Sequence, residues 1–272
     1  MGYKSVLDFG REAKVGYPHN QFDYPTKILP QVISDFIDKF TDEGDVILDP
    51  FAGSGTLAVE AALKNRCSIS IDINPRAIEI IEKKLKMLIS YDLFTSVNID
   101  CQKFYVGDAR SLNIEDNSID AIITDIPYHD MIKYSDIEGD LSNIPKYEDF
   151  LHEIYKSCKE MYRVLKYDKY CIIFVADYRI AKSRMIIPIH SDIISIMLDL
   201  EFTLFDIYIW RYYRSGGFRP FGKKPYQSMN VHSYVLVFYK SPSNNKDVVK
   251  NSGIRYRKKL IEKIVRNNVQ SK

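Results

Sequence analysis

Segments with strand character and segments with helical period alternate along most of this chain, and few folds accept that order. Residues 28–40 (ILPQVISDFIDKF) repeat apolar side chains at helical spacing, with Pro30 early, where a first turn has no amide bond to lose. A short buried strand follows at 45–48, then a helix of strong formers at 57–65, a strand at 67–71 and an amphipathic helix at 75–90. Strands are expected next at 104–106 and 119–124, the second largely apolar, as a strand covered on both faces should be. A helix at 147–165, a strand at 170–175, a helix at 190–200 and strands at 202–210 and 231–239 complete the order. The fold class implied is α/β, a doubly wound sheet. The last two strands have no helix between them, so they form a hairpin that puts an antiparallel strand at the C-terminal edge. The expected organisation is one domain over 1–240 and a basic, helical tail over 241–272.

In such a sheet, ligands sit beyond the carboxyl ends of the strands, near the switch point. The polar residues at these ends are therefore the candidate site. After the first strand come residues 49–56, DPFAGSGT, in which Gly53 and Gly55 permit a tight turn and Thr56 opens a helix with free amide groups. Asp72 ends the second strand, 23 residues after Asp49, where an acidic side chain takes a ribose diol, with Ile73 beside it. Asp108 and Ala109 follow the third strand, placed for an adenine amino group. The loop lacks the third glycine of a dinucleotide fingerprint and the Gly-Lys-Ser/Thr of a phosphate loop. An acidic residue at its entrance disfavours a pyrophosphate and favours a cationic or zwitterionic ligand.

DPFAGSGT resembles the first motif of the amino-group DNA and RNA methyltransferases, usually DPF-x-GSGT. Residues 125–128 (Asp125, Ile126, Pro127, Tyr128) are similar to the (Asp/Asn/Ser)-Pro-Pro-Tyr motif of the same enzymes, with Ile126 where proline is usual. Residues 19–27 resemble the segment that folds over the methionine end of the cofactor, with Tyr24, Pro25 and Thr26 as its core, so about 1–27 is expected to be a lid. Residues 232–240 (HSYVLVFYK) are similar to the terminal strand motif of the N4-cytosine and N6-adenine DNA methyltransferases, with Ser233 in place of glutamate. The resemblance spans 19–240. It implies a Rossmann-like class I methyltransferase sheet that binds S-adenosyl-L-methionine through Tyr24, Pro25, Thr26, Asp49, Phe51, Gly53, Gly55, Thr56, Asp72, Ile73, Asp108 and Ala109.

The chemistry explains the second motif. An amine on an aromatic ring is a poor nucleophile because its lone pair is delocalised. Asp125 can accept one N–H and the Ile126 carbonyl the other, Pro127 stiffens the loop, and Tyr128 stacks on the base. Transfer is then a direct displacement governed by positioning and electrostatics. Methylation at cytosine C5 is excluded, since it uses a Cys nucleophile, usually after Pro, and no Cys here follows one.

With 38 basic and 36 acidic residues the chain does not grip nucleic acid by bulk charge. Residues 211–227 (RYYRSGGFRPFGKKPYQ) are the local exception, interleaving cations and aromatics, and Arg211, Arg214, Phe218, Arg219, Lys223 and Lys224 are the substrate candidates. His129, with Asp130, Lys133 and Tyr134, is expected to shape the target pocket. Most of the 20 Tyr and 14 Phe are expected in the core. No long insertion offers a separate target-recognition domain. The terminal strand motif favours DNA, at adenine N6 or cytosine N4, with the base flipped out of the stack. A structured RNA is the alternative, and a non-catalytic nucleic-acid binding module a further one. Cys67, Cys101, Cys158 and Cys171 show no CxxC pair and no metal spacing with His, so no metal is expected and all four read as reduced thiols. With an N-terminus too polar for a signal peptide and no apolar run of membrane length, they point to a cytoplasmic protein without membrane contact.

Overall fold

A computed structural model describes residues 4–9, 16–25, 28–91, 97, 99–129, 134–180, 185–211 and 232–242. Its elements run in the order β1 (Val6–Asp8), α1 (Pro30–Phe40), β2 (Val46–Asp49), α2 (Thr56–Leu63), β3 (Cys67–Asp72), α3 (Pro75–Tyr91), β4 (Gln102–Val106) and β5 (Ile119–Asp125). They continue with α4 (Tyr147–Val164), β6 (Leu165–Val175), β7 (Tyr178–Arg179), β8 (Ile186–Ile187), α5 (Ile189–Asp199), β9 (Thr203–Arg211) and β10 (His232–Lys240). The expected alternation is present. β1 and the β7–β8 ribbon were not expected, because two or three residues carry no readable period. The helical tail expected beyond 242 lies outside the described residues.

The main sheet has the order β1-β9-β10-β6-β5-β2-β3-β4. β10 runs antiparallel to both β6 and β9, and the other pairings are parallel. The antiparallel hairpin therefore exists, with β10 inside it and β9 and β1 outermost on that side. β6 begins earlier than expected because Asp168 takes φ 62° and the pairing with β5 jumps from Leu165 to Tyr170.

Each helix buries the face its sequence marks. In α1 the buried residues Val32, Ile33, Phe36 and Ile37 repeat at helical spacing, and Thr41 closes the end by donating its hydroxyl to the Ile37 carbonyl at 2.7 Å. α4 buries Phe150, Ile154, Cys158 and Met161 and carries Glu148 and Asp149 in its first turn, where the helix dipole favours them. Alternate strand residues separate two cores. Ile47, Ala121, Ile123 and Phe174 face α1, while Leu48, Ile122, Ile173 and Val175 face α4 and α5.

The reduced-thiol reading is corrected for two cysteines: Cys67 and Cys101 form a disulfide, with Cα atoms 5.1 Å apart. The pairing comes from sheet register. Ser68 lies opposite Gln102, so the residues just before them are neighbours although 34 positions apart. Cys158 and Cys171 are free and buried. Thiol state therefore lends the cytoplasmic expectation less support.

The chain leaves β2 for β3 on one side and later returns to place β5 on its other side. That reversal opens a crevice at the carboxyl ends of β2 and β5, which end in Asp49 and Asp125.

Candidate active site

A cleft of about 920 Å³ opens at this crevice. Of the twelve residues expected to hold a cofactor, Tyr24, Asp49, Phe51, Gly53, Thr56, Asp72, Ile73, Asp108 and Ala109 line it. Pro25 and Gly55 do not, and Thr26 lies outside the described residues. Gly55 serves packing instead. It takes φ 75° ahead of α2, and a Cβ there would stand 2.4 Å from Ile81 Cγ1 on α3. Gly53, at φ 48°, lets the Tyr24 ring approach; a Cβ would meet it at 3.2 Å.

The carboxylates at the strand ends hold the loop that they flank. Asp49 Oδ1 accepts the Thr124 hydroxyl at 2.7 Å and the Phe51 amide at 3.2 Å. Asp72 Oδ2 accepts the Gly53 amide and its Oδ1 the Asn74 amide, each at 2.8 Å. Asp108 is gripped by Arg110, whose Nε lies 2.9 Å from Oδ1 and whose Nη2 lies 2.6 Å from Oδ2. Arg110 also reaches Glu153 of α4 and the Gly139 carbonyl. The carboxylate expected to meet an adenine amine is thus already in a bidentate ion pair, and its Oδ1 also accepts the Arg110 amide.

Asp125 and Pro127 line the cleft, whereas Ile126 and Tyr128 are buried against the α4 core. The Tyr128 ring, expected to stack on a base, is 8% exposed, and its hydroxyl donates to Asp125 Oδ1 at 2.5 Å. The expectation that His129 shapes the target pocket is corrected. It is buried at φ 51°, bonds the Tyr178 hydroxyl through Nδ1 at 2.9 Å, and packs on Tyr147 and Phe150. Arg211 is half-exposed and reaches Asp8 at 3.6 Å, away from the cleft lining. Arg214, Phe218, Arg219, Lys223, Lys224, Asp130 and Lys133 lie outside the described residues.

The walls include residues the motifs did not single out, Ile28 and Ile33 from the α1 side, Thr124 and Asp140, together with Tyr134, which was expected at the target pocket. Asp140 accepts the Ser135 hydroxyl and the amide and hydroxyl of Ser142, which folds Tyr134 over the cleft 6.4 Å from Tyr24. The Asp-x-Ser step after Gly139, at φ 90°, was the available signal for this turn.

Burial sets the electrostatics. It pushes Asp49 up to about 7, against the Thr124 and Phe51 hydrogen bonds and helped by the charge of Asp72. It pushes Asp125 up to about 7 as well, against the Tyr128 bond and helped by the charge of Asp49. Asp72 is raised by burial, and Tyr24 is raised far above the usual phenol range by burial and then by Asp72. Desolvated carboxylates that raise one another repel an anion and draw in a cation. Among the described residues no group of three or more His, Cys, Asp or Glu side chains is placed to hold a metal ion, and no helix is long and apolar enough to cross a membrane.

The profile of the DNA methylase family matches residues 3–83 and 119–271. A type II methyltransferase, M.MjaII of Methanocaldococcus jannaschii, is 33% identical over 98 residues, which is 34% of this chain and 18% of that protein. A tRNA (guanine(10)-N2)-dimethyltransferase of Methanothermobacter thermautotrophicus is 31% identical over 115 residues, 41% of this chain and 31% of that one. The chain thus spans between about a fifth and a third of the length of these relatives. A crystal structure of a SAM-dependent methyltransferase from Methanosarcina mazei aligns with 76% of this chain and 97% of its own at 18% identity, with a TM-score of 0.49.

Proposed function

Because the chain belongs to the DNA methylase family, we propose that it transfers a methyl group from S-adenosyl-L-methionine to an exocyclic amino nitrogen of a nucleobase. The observation that carries this reading is Asp125: a carboxylate at the switch point, desolvated to about 7, open to the cleft and bonded there by one phenol hydroxyl.

The donor set fits the cofactor. Its cationic sulfur and α-ammonium group suit Asp49, whose burial is relieved by a positive partner. The glycine turn at 53 leaves room that a Cβ would fill, Asp72 is placed for a ribose diol, and Ile73 and Ala109 offer apolar walls for a base. Tyr24 and Tyr134 close the roof. When bound, the cofactor supplies a methyl group on a positively charged sulfur. The chain's own part is to present the amine. Asp125, as carboxylate, accepts one N–H and the Ile126 carbonyl the other, which restores lone-pair density on nitrogen. Asp125 then takes the proton that the methylated amine releases. Tyr128 leaves Asp125 when the base enters and stacks upon it.

DNA is the favoured polymer, at adenine N6 or cytosine N4, through the family match and the terminal strand His232–Lys240. RNA is the second reading, supported by the tRNA-modifying relatives. One catalytic domain over 1–240 with a lid at 1–27 would carry the reaction, with the cations of 211–227 on the polymer. The compartment implied is the cytoplasm, where cofactor and nucleic acid meet. The test is tritium transfer from labelled cofactor to DNA, total RNA and protein of an unmodified host, followed by mass spectrometry of the labelled nucleoside. N6-methyladenine or N4-methylcytosine in DNA is the expected product. Label in RNA alone would move the reading to its second form, and no label in any polymer while cofactor binds would overturn it.

A further inference from the structure

At the carboxyl end of β6, on the α5 side of the sheet, two consecutive residues make two anchors. Asp177 Oδ1 accepts the backbone N–H of His190 at 3.2 Å and pairs with its Nδ1 at 2.7 Å. The imidazole so fixed lies flat on the Tyr234 ring, centroids 4.0 Å apart and planes 16° from parallel. His232 stands edge-on to the same tyrosine at 5.1 Å and is the cross-strand partner of Arg211. Tyr178, next in the chain, holds His129, which directly follows Tyr128. The stacked histidine and the catalytic loop are thus fastened through neighbouring residues of one strand end.

This arrangement is more than core packing requires. The His190 side chain is 24% exposed, and its Nε2 has no hydrogen-bond partner among the described residues. A carboxylate on Nδ1 and a ring stacked on one face leave this nitrogen as the only polar edge turned elsewhere. The segment 212–231, which joins Arg211 to His232, carries four cations and no carboxylate. We infer that His190, steered by Asp177 and backed by Tyr234, contacts a backbone phosphate of the polynucleotide beside the target base. The inference rests on the nucleic-acid reading above. With Asp177 behind it on Nδ1, His190 donates Nε2–H to a phosphate oxygen, and Tyr234 keeps the ring plane fixed. Such a contact sets position and register and carries no sequence information.

The test is fluorescence anisotropy of a labelled DNA duplex and of a labelled single-stranded RNA, each of random sequence, over a salt series. His190→Ala is expected to weaken binding roughly tenfold, as for loss of one charge-assisted hydrogen bond. The slope of log affinity against log salt should become shallower by about 0.7–0.9, the value for one phosphate contact. Cofactor affinity should stay at its wild-type value in the folded variants; a merely structural role would lower the melting temperature through the lost Asp177 pair and Tyr234 stack without changing the salt slope. His190→Gln keeps a polar, uncharged side chain; it should regain part of the affinity but not the slope. Wild-type affinity and slope in both variants would overturn the contact, as would a wild-type protein that binds neither polymer. Methyl transfer with unaltered variants sinks the contact alone, whereas His190-dependent binding without transfer sinks the methyltransferase alone.

Discussion

Arg66 and Lys240 lie at the amino end of the sheet, and Asp49 and Asp125 at its carboxyl end; all four give up most of their water, yet they are treated differently. Arg66 donates to the Thr41 hydroxyl, the Thr41 carbonyl and the Lys64 carbonyl. Lys240 donates to Asn117 Oδ1 and to the carbonyls of Tyr162 and Leu165, and its ammonium lies over the Tyr162 and Tyr167 rings. Lys240 thus uses all three of its donors, and every nitrogen of Arg66 is engaged. Asp125 accepts one hydroxyl, and Asp49 one hydroxyl and one amide. A carboxylate with room for more acceptor bonds, pushed up to about 7 by burial, is costly to keep in a fold. The two cations at the amino end are bound into the fold, whereas the two carboxylates at the carboxyl end keep acceptor capacity open to the cleft.

The largest effect should come from breaking that contrast at the carboxyl end. Asp125→Ala is expected to cost at least about a thousandfold in transfer, roughly 4 kcal/mol of barrier, while cofactor affinity measured by calorimetry stays within about twofold. Loss of both together would mean that Asp125 belongs to the cofactor and not to the amine.

Next in size is the amino end. Lys240→Ala strips the partner from Asn117 and from the Tyr162 and Leu165 carbonyls at the junction of α4 and β6. Unfolding stability in urea should fall by about 2–4 kcal/mol, and kcat should not change below the melting temperature. A fall in kcat with stability kept would show that the two ends are coupled.

How much of this was legible in the sequence depended on whether a function sits on one stretch of chain. DPFAGSGT and Asp125–Tyr128 are contiguous, so their residues could be read as sets. That a site lies beyond the carboxyl ends of strands, near a switch point, followed from the alternation of strands and helices; that the strands ending in Asp49 and Asp125 are the neighbours there needed the strand order. Gly55 was legible as a glycine required by a turn but not as one facing Ile81, which depends on where α3 packs. The Cys67–Cys101 bond is a product of sheet register, with no period or spacing to announce it, and the cleft position of Asp140 comes from loop folding that only the Asp-x-Ser step after Gly139 signals. His129 misled because adjacency in sequence to a catalytic loop is not adjacency to the cleft; its left-handed backbone turns the side chain into the α4 core.

A third effect runs opposite to the first. The folded-state value for Asp125 lies above its unfolded one, so the folded protein binds more protons between about pH 4 and pH 7. Its contribution to stability is therefore present at low pH and lost as pH rises through that window. Asp125→Asn removes the loss and should stabilise the unliganded protein at pH 8 on the order of 1–3 kcal/mol, measured by urea unfolding, while transfer falls. Equal stability of variant and wild type at pH 8 would show that Asp125 is not desolvated.

The smallest expected effects separate the neighbours of Asp125. The amine needs the carboxylate, so transfer should fall about tenfold per pH unit below the Asp125 midpoint and level off above it. The Tyr128 hydroxyl lowers that midpoint and the charge of Asp49 raises it. Tyr128→Phe should therefore shift the carboxyl titration of the unliganded protein, followed by carbon-13 NMR, to higher pH. Asp49→Asn should shift it to lower pH. Each shift is expected to be about one unit or less. Shifts of the same sign would contradict this picture, because a hydroxyl that donates to Asp125 and a charge that repels it act on opposite protonation states.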